Sequence, residues 1–217
     1  MKFAKGVMMA MIVMCGVCAY AGEDSQWEKI ANAGISAAGL KFKVKDGNGD
    51  SMTMKAAAGG FHTSYQSINK ENGFGFFLDA DAMALGTDEI NSEEELGGYF
   101  NTFAGVGFSP VRDGNVFLLL TGGFGFDCYG FYIDRNGIDY SVAGVGLLAG
   151  ADLSLTVKVS KMVGIGFNVL GTVSLCGATH YDYNPSNKCY RNDKKETYNV
   201  KGGSLSIIPS VGVTVHF

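Results

Sequence analysis

The last stretch of the chain, residues 203–217, alternates between apolar side chains and small or polar ones. Every second position carries an apolar residue up to the terminal Phe217, with Pro209 as the one interruption; these residues are Leu205, Ile207, Val211, Val213 and Val215. A strict period of two is typical of a β-strand with one apolar face and one polar face. We therefore predict an extended strand at the carboxyl end.

The same alternation recurs in earlier segments and predicts seven more strands. These cover residues 34–45, 51–67, 73–85, 96–108, 116–132, 138–157 and 163–183. Turn-forming residues separate them, as in Asp46–Asp50 and in the Asn136-Gly137 pair. The apolar positions change parity near Gly59 and again between Gly144 and Gly150, which predicts a β-bulge at each place.

Charged residues within these strands indicate which face is turned away from lipid. Asp79 and Asp81 share one face of the third strand, and a charge at the centre of a bilayer is costly, so we assign that face to the lumen of a barrel. Buried charges need partners. We predict a lumenal polar network in which lysines and aspartates pair, or alternatively line a narrow ion or proton path: Lys41, Lys43, Lys55, Asp79, Asp81 and Asp152.

The amino-terminal residues have the layout of a secretory signal. Lys2 and Lys5 precede an apolar run that ends at Ala19-Tyr20-Ala21, so we expect cleavage after Ala21. The predicted organisation is then a signal peptide at 1–21, a periplasmic lead-in at 22–33 and a barrel at 34–217. Removing the signal takes two lysines from a chain whose net charge is already −4, which argues against a nucleic-acid partner.

The connections between the predicted strands differ in length in a regular way. Those after the second, fourth and sixth strands are compact, whereas the longest follow the third and seventh strands. Short turns at one end and longer loops at the other are typical of outer-membrane barrels. A soluble lipocalin-like barrel also alternates, but an unbroken apolar face opposite a charged one favours the membrane.

The closing strand, with Val211, Val213, Val215 and the terminal Phe217, resembles that of small bacterial outer-membrane barrels of the OmpX, OmpW and opacity-protein kind. The resemblance implies an eight-stranded antiparallel transmembrane barrel in the outer membrane, in contact with its lipid. It also implies that these four residues are an assembly signal for the barrel-assembly machinery.

Two functions are compatible with this interpretation. The first is a structural or adhesion role, in which the loops Asp88–Glu95 and Asn184–Tyr198 bind an extracellular ligand. The second is an OmpW-like channel for small hydrophobic molecules or ions, with a lateral opening at the bulges. A polar upper lumen, predicted from Asp127, Asp139, His180 and Asp182, favours the first.

The sequence contains no spacing typical of a catalytic, cofactor or metal site. His180 and Asp182 share a face, and Ser141 or Ser174 would have to complete a triad, which spacing alone does not establish. We therefore predict that the chain is not an enzyme. His62 and His216 have no partner in the pattern. Cys176 and Cys189 belong to the outer half of one hairpin, and we expect a disulfide between them, with free thiols as the alternative.

Overall fold

A computed structural model describes residues 26–45, 51–87, 97–112, 114–134, 138–185 and 204–217. The predicted signal peptide lies outside these ranges. The strands are β1 (Trp27–Lys45), β2 (Ser51–Asn69), β3 (Phe74–Thr87), β4 (Gly97–Val111), β5 (Val116–Asp134), β6 (Ile138–Lys158), β7 (Val163–Pro185) and β8 (Leu205–His216).

These eight strands form a closed antiparallel barrel in which each strand pairs with its neighbours in sequence. Closure comes from β8 pairing with β1, in a register that sets Ile30 opposite His216 and Ile35 opposite Val211. The all-β, eight-stranded fold predicted from the alternation is confirmed. A closed barrel leaves no unpaired sheet edge, which is what a bilayer interior requires.

The first strand starts earlier than the sequence pattern indicates. β1 begins at Trp27 and pairs with β2 from Trp27↔Asn69 onward, so residues 27–33 are barrel wall and not a lead-in. The reason is that this segment has small and polar residues at both parities, as in Ala31-Asn32-Ala33-Gly34, and shows no apolar stripe. Pairing with β2 and β8 nevertheless makes these residues part of β1, although the apolar pattern is weak.

The two ends of the barrel differ. Short turns after β2, β4 and β6, together with the start of β1 and the end of β8, define what we call the turn end; the opposite end, with the longer connections, is the loop end. Gly73 and Gly114, with φ of 78° and 72°, each occupy a turn at the turn end in a backbone conformation that favours glycine. In outer-membrane barrels the short turns are periplasmic.

The outer face carries an apolar surface on all sides. Its exposed large side chains come from every strand and include Ile35, Phe61, Leu78, Val106, Phe124, Leu153, Phe167, Val169, Ile207 and Val213. Phe74, Phe108 and Phe217 extend this surface at the turn end. A soluble monomer rarely exposes so large a contiguous apolar area, whereas lipid solvates it. Within the described residues, no helix is both long and apolar enough to span a membrane.

The predicted bulges are only partly correct. The β1–β2 and β2–β3 registers run without interruption past Gly59, so no bulge or lateral gap exists there. In the β6–β7 pair the register does shift, between Leu147 and Leu148, but the extra residue is Leu175 on β7. β6 itself keeps one parity, with Val145, Leu147 and Leu153 all exposed on the outer face. A second shift lies near the end of β4, after Phe108.

Candidate functional site

The inner face of the described barrel is filled by side chains from all eight strands. A largely apolar group includes Ile30, Ile68, Phe77, Tyr99, Phe103, Phe117, Leu119, Leu170 and Ile208, all almost completely buried. The rings of Phe77 and Phe103 contact one another, with their centroids 6.4 Å apart. An eight-stranded barrel has an interior just wide enough for side chains to fill, and this one is filled.

A polar cluster lies on this inner face, between β2, β3 and β6. His62 is 2% exposed, and its Nδ1 lies 3.3 Å from Asp79 Oδ2 and 3.1 Å from Asp81 Oδ1. The register explains the meeting, because His62 pairs directly with Asp81, and Asp79 lies two residues along the same face. Asp152 faces the lumen from β6 and interacts electrostatically with both aspartates. We call these four residues the His62 cluster.

Uncharged polar side chains support the His62 cluster from β7 and β6. Asn168 Nδ2 lies 2.9 Å from His62 Nε2 and 3.2 Å from Ser64 Oγ. Ser154 Oγ donates to Asn168 Oδ1 at 2.9 Å and is 3.3 Å from Gln66 Oε1. This network joins strands on different sides of the barrel, so it crosses the lumen and fixes the orientation of the imidazole.

A second charged cluster closes the turn end. Glu28 on β1 accepts hydrogen bonds from Lys158 and, at 2.9 Å, from His216 Nδ1, and it forms an ion pair of 3.3 Å with Lys70. The Lys158 ammonium also lies 4.9 Å from the centroid of the Phe117 ring, which is within cation–π range. These side chains plug the turn end of the lumen around a single carboxylate, that of Glu28.

Two of the three lysines predicted to pair with lumenal aspartates, Lys41 and Lys55, do not lie in the lumen. Lys41 and Lys55 are exposed and oppose one another across β1 and β2, whereas Leu40 and Ala56 are buried on the inner face. The prediction was wrong because parity is fixed along a whole unbroken strand. Inward Asn32 and Ser36 set the parity of β1, so Lys41 falls on the outer face. The Lys43 side chain is outside the described residues.

The three aspartates of the predicted network are lumenal, and the cationic group beside two of them, Asp79 and Asp81, is a histidine. Asp79, Asp81 and Asp152 are 4%, 1% and 3% exposed. The sequence interpretation gave no partner to His62 or His216, and both have carboxylate partners. Strand register is the signal that could have identified the partner of His62. Because a turn at residues 70–73 joins β2 to β3, the pairing of these strands places His62 opposite Asp81.

The structure shows where some of the other predicted residues lie, and the rest are outside the described residues. Val211, Val213 and Val215 face outward, as expected for the closing strand, but the structure does not test their role in assembly. Cys176 is exposed and does not pair with Cys128. Cys189 lies outside the described residues, as do the side chains of His180, Asp182, Ser141 and Asp139, so the disulfide and the outer-rim group stay predictions.

No family model and no curated protein matches the sequence. Solved structures do match the fold. A major outer membrane protein from Thermus thermophilus aligns with a TM-score of 0.50 and 11% identity, over 86% of this chain and 99% of that one. Ail, the attachment invasion locus protein of Yersinia pestis, aligns at 0.43 and 14% identity, over 87% and 98%.

The prediction that the chain is not an enzyme requires correction. OmpT, an outer membrane protease of Escherichia coli, aligns over 88% of this chain and 96% of its own, at a TM-score of 0.49 and 9% identity. The exclusion of enzymatic activity is therefore withdrawn. At such low identity the likeness concerns the fold alone.

The closed antiparallel barrel, its apolar outer surface, its short-turn end and the solved structures that share its fold agree with one another. This chain has the fold of bacterial outer-membrane β-barrels, with eight strands and an apolar outer surface, and its location is the outer membrane.

Proposed function

We propose that this protein works through the loops at its loop end, as a surface protein that binds an extracellular partner. The observation that carries the proposal is the filled lumen. Tyr99, Phe77 and Phe103 occupy its interior, and the Glu28–Lys158 cluster plugs its turn end. So many buried side chains along the described part of the lumen argue against the OmpW-like channel as its main role.

The sequences of the two longest connections suggest the chemistry of the partner. Residues 88–96 hold five acidic residues and no basic one, whereas residues 186–203 hold the basic residues Lys188, Arg191, Lys194, Lys195 and Lys201 against two acidic ones. A cationic segment on an otherwise acidic protein favours anionic partners through charge complementarity. We therefore infer a sulfated or otherwise polyanionic surface glycan as the ligand of residues 186–203.

The experiment measures binding of the refolded barrel, in detergent micelles, to immobilised heparin as a model polyanion, with neutral dextran as the control surface. Lys194→Glu/Lys195→Glu should lower the affinity at least about tenfold, and raising the salt should weaken binding of the parent protein. Lys41→Glu/Lys55→Glu changes the same charge on the barrel wall and is the matched control, with an expected loss below about twofold.

Two results would contradict the proposal. The first is equal binding to heparin and dextran, which would remove the polyanion as ligand. The second is an equal loss in both double variants, which would assign binding to the net charge of the protein and not to the loop. A steady ion conductance from the same preparation would favour the channel instead.

A further inference from the structure

The His62 cluster holds three buried carboxyl groups against one imidazole. His62 is the cationic group that the described residues bring within ion-pair distance of Asp79 and Asp81. One protonated imidazole would balance only one of three carboxylates. Buried charges in proteins are paired or coordinate a metal ion, because the desolvation cost is otherwise prohibitive.

Several oxygens of the cluster have no partner among the described residues. Both carboxylate oxygens of Asp152 are unpartnered, as are Asp79 Oδ1 and Asp81 Oδ2, although all three residues are at least nine-tenths buried. Buried polar atoms in native proteins almost always have a partner. Asp152 is the strongest sign of a missing ligand, since it lies beside two other carboxylates with no donor directed at it.

The positions of the donor atoms fit a small divalent ion. One donor atom each from His62, Asp79 and Asp81 lies within 4.8 Å of the others, and the two His62–aspartate distances are 3.3 and 3.1 Å. Two donors that each lie about 2.1 Å from a tetrahedral or octahedral ion are separated by about 3.0–3.4 Å. The cluster therefore needs little rearrangement to hold an ion.

The supporting shell permits His62 Nδ1 to act as a ligand. Coordination requires Nδ1 to be unprotonated and Nε2 to carry the proton. Nε2 lies 3.2 Å from Ser64 Oγ, which can accept that hydrogen bond. Asn168 can rotate its amide so that Oδ1 faces the ring, because Ser154 Oγ has Gln66 Oε1 as a second acceptor at 3.3 Å. Hydrogen bonds of this kind orient metal-bound histidines.

We propose that His62, Asp79 and Asp81 bind one divalent transition-metal ion inside the barrel, and that Asp152 supplies the balancing negative charge beside it. One imidazole with two or three carboxylates suits Zn²⁺ or Mn²⁺ better than Ca²⁺, which prefers oxygen ligands alone. The ion would join β2 and β3 inside the lumen, beside Asp152 of β6. The sequence gives no metal spacing because the ligands come from different strands and meet only through their register.

Zn²⁺ is the probe for the test. The untagged mature barrel, with Cys128, Cys176 and Cys189 replaced by serine so that no thiol competes, is refolded in detergent with and without Zn²⁺. The bound metal is counted after gel filtration, and the affinity is measured by competition with a chromogenic chelator. We expect about one ion per barrel, as for a closed single site, and a higher thermal midpoint with Zn²⁺.

Variants separate this site from other zinc-binding groups. His62→Gln and Asp81→Asn should each lower the Zn²⁺ affinity more than about tenfold, since each removes a ligand, and Asp152→Asn should lower it by about tenfold. Asp127→Asn, which changes a buried lumenal aspartate on β5, and His180→Gln should leave it within about twofold. Heat-modifiable mobility on gels reports whether each variant has folded.

Asp152→Asn keeps the test decisive if the other two variants fail to fold, because it breaks no hydrogen bond within the described residues. A folded Asp152→Asn barrel that binds Zn²⁺ as tightly as the parent would overturn the proposal. So would a parent barrel with less than about a tenth of an ion per chain after refolding in Zn²⁺, or one whose zinc is lost equally in the His180→Gln variant.

Discussion

Gly73 illustrates how a single residue fixes the turn end. Its φ of 78° is a conformation that other residues adopt at a cost, and an added Cβ would lie 2.7 Å from the Phe108 ring and 2.8 Å from the Ser109 carbonyl oxygen. Gly73 also accepts a hydrogen bond from the Ser109 amide at 2.7 Å. This turn therefore couples the β2–β3 connection to the end of β4.

The left-handed backbone conformation alone should cost an alanine at position 73 about 1 kcal/mol. Gly73→Ala is expected to destabilise the barrel by clearly more than this, because the added Cβ also meets Phe108 and Ser109. Gly114→Ala is the matched control, because Gly114 has a φ of 72° but open space around the position of an added Cβ. Urea unfolding of the refolded proteins measures both free energies. Equal losses would show that the contacts with Phe108 and Ser109 contribute nothing.

Cysteine substitutions at Lys41 and Leu40 test which side chains of β1 face outward near the loop end. Lys41 is exposed on the outer face and Leu40 is 4% exposed in the lumen. In a background without native cysteines, Lys41→Cys should react with a soluble maleimide at least about ten times faster than Leu40→Cys, because reaction requires an accessible thiolate. Faster labelling of Leu40→Cys would restore the lumenal lysines and contradict the register.

The lysines show that the charge of a residue alone does not tell which face of the barrel wall it occupies. Local charge suggested that Lys41 and Lys43 face a polar lumen, but the rule that keeps charge out of lipid applies only within the hydrocarbon layer. Toward the loop end, charges can face outward and apolar side chains such as Leu40 can pack inside. His62 and the aspartates were in the sequence too, but their meeting depends on register, which composition does not give.

At the level of elements, the apolar outer face of β7 belongs in the lipid. Val169 is exposed near the middle of the apolar surface, and Val159 is exposed in the turn between β6 and β7. Val169→Arg should lower the free energy of unfolding by about 2–4 kcal/mol, whereas Val159→Arg should change it by about 0–1 kcal/mol. Chemical denaturation in phospholipid vesicles measures both, and equal values would place β7 outside the bilayer.

The elements themselves were largely predictable. Alternation with period two located every strand, since the bilayer imposes an apolar outer face on each of them. It failed at residues 27–33, where small side chains hide the alternation, and at Gly59, where the register runs without a bulge. Near Gly144–Gly150 the predicted register shift exists, but the extra residue is not on β6. A bulge on β7 at Leu175 adjusts the pairing instead.

At the scale of the whole molecule, the barrel is a membrane protein whose interior resembles a small protein core. Large side chains such as Tyr99 and Phe103 occupy the interior. Two clusters hold most of its charged groups: the Glu28 cluster, in which lysines surround one carboxylate, and the His62 cluster with its excess of carboxyl groups. A packed interior of this kind leaves the loop end as the surface through which we propose that the protein binds its partner.

Ion conductance tests most directly whether side chains fill the lumen. The refolded barrel, with its folding verified by heat-modifiable mobility and a β-type circular dichroism spectrum, is inserted into planar lipid bilayers, and a general porin serves as the positive control. We expect no steady conductance above the bare membrane, because side chains occupy the interior of an eight-stranded barrel. Reproducible, ohmic conductance steps from folded protein would contradict the packed lumen and with it the loop-based function.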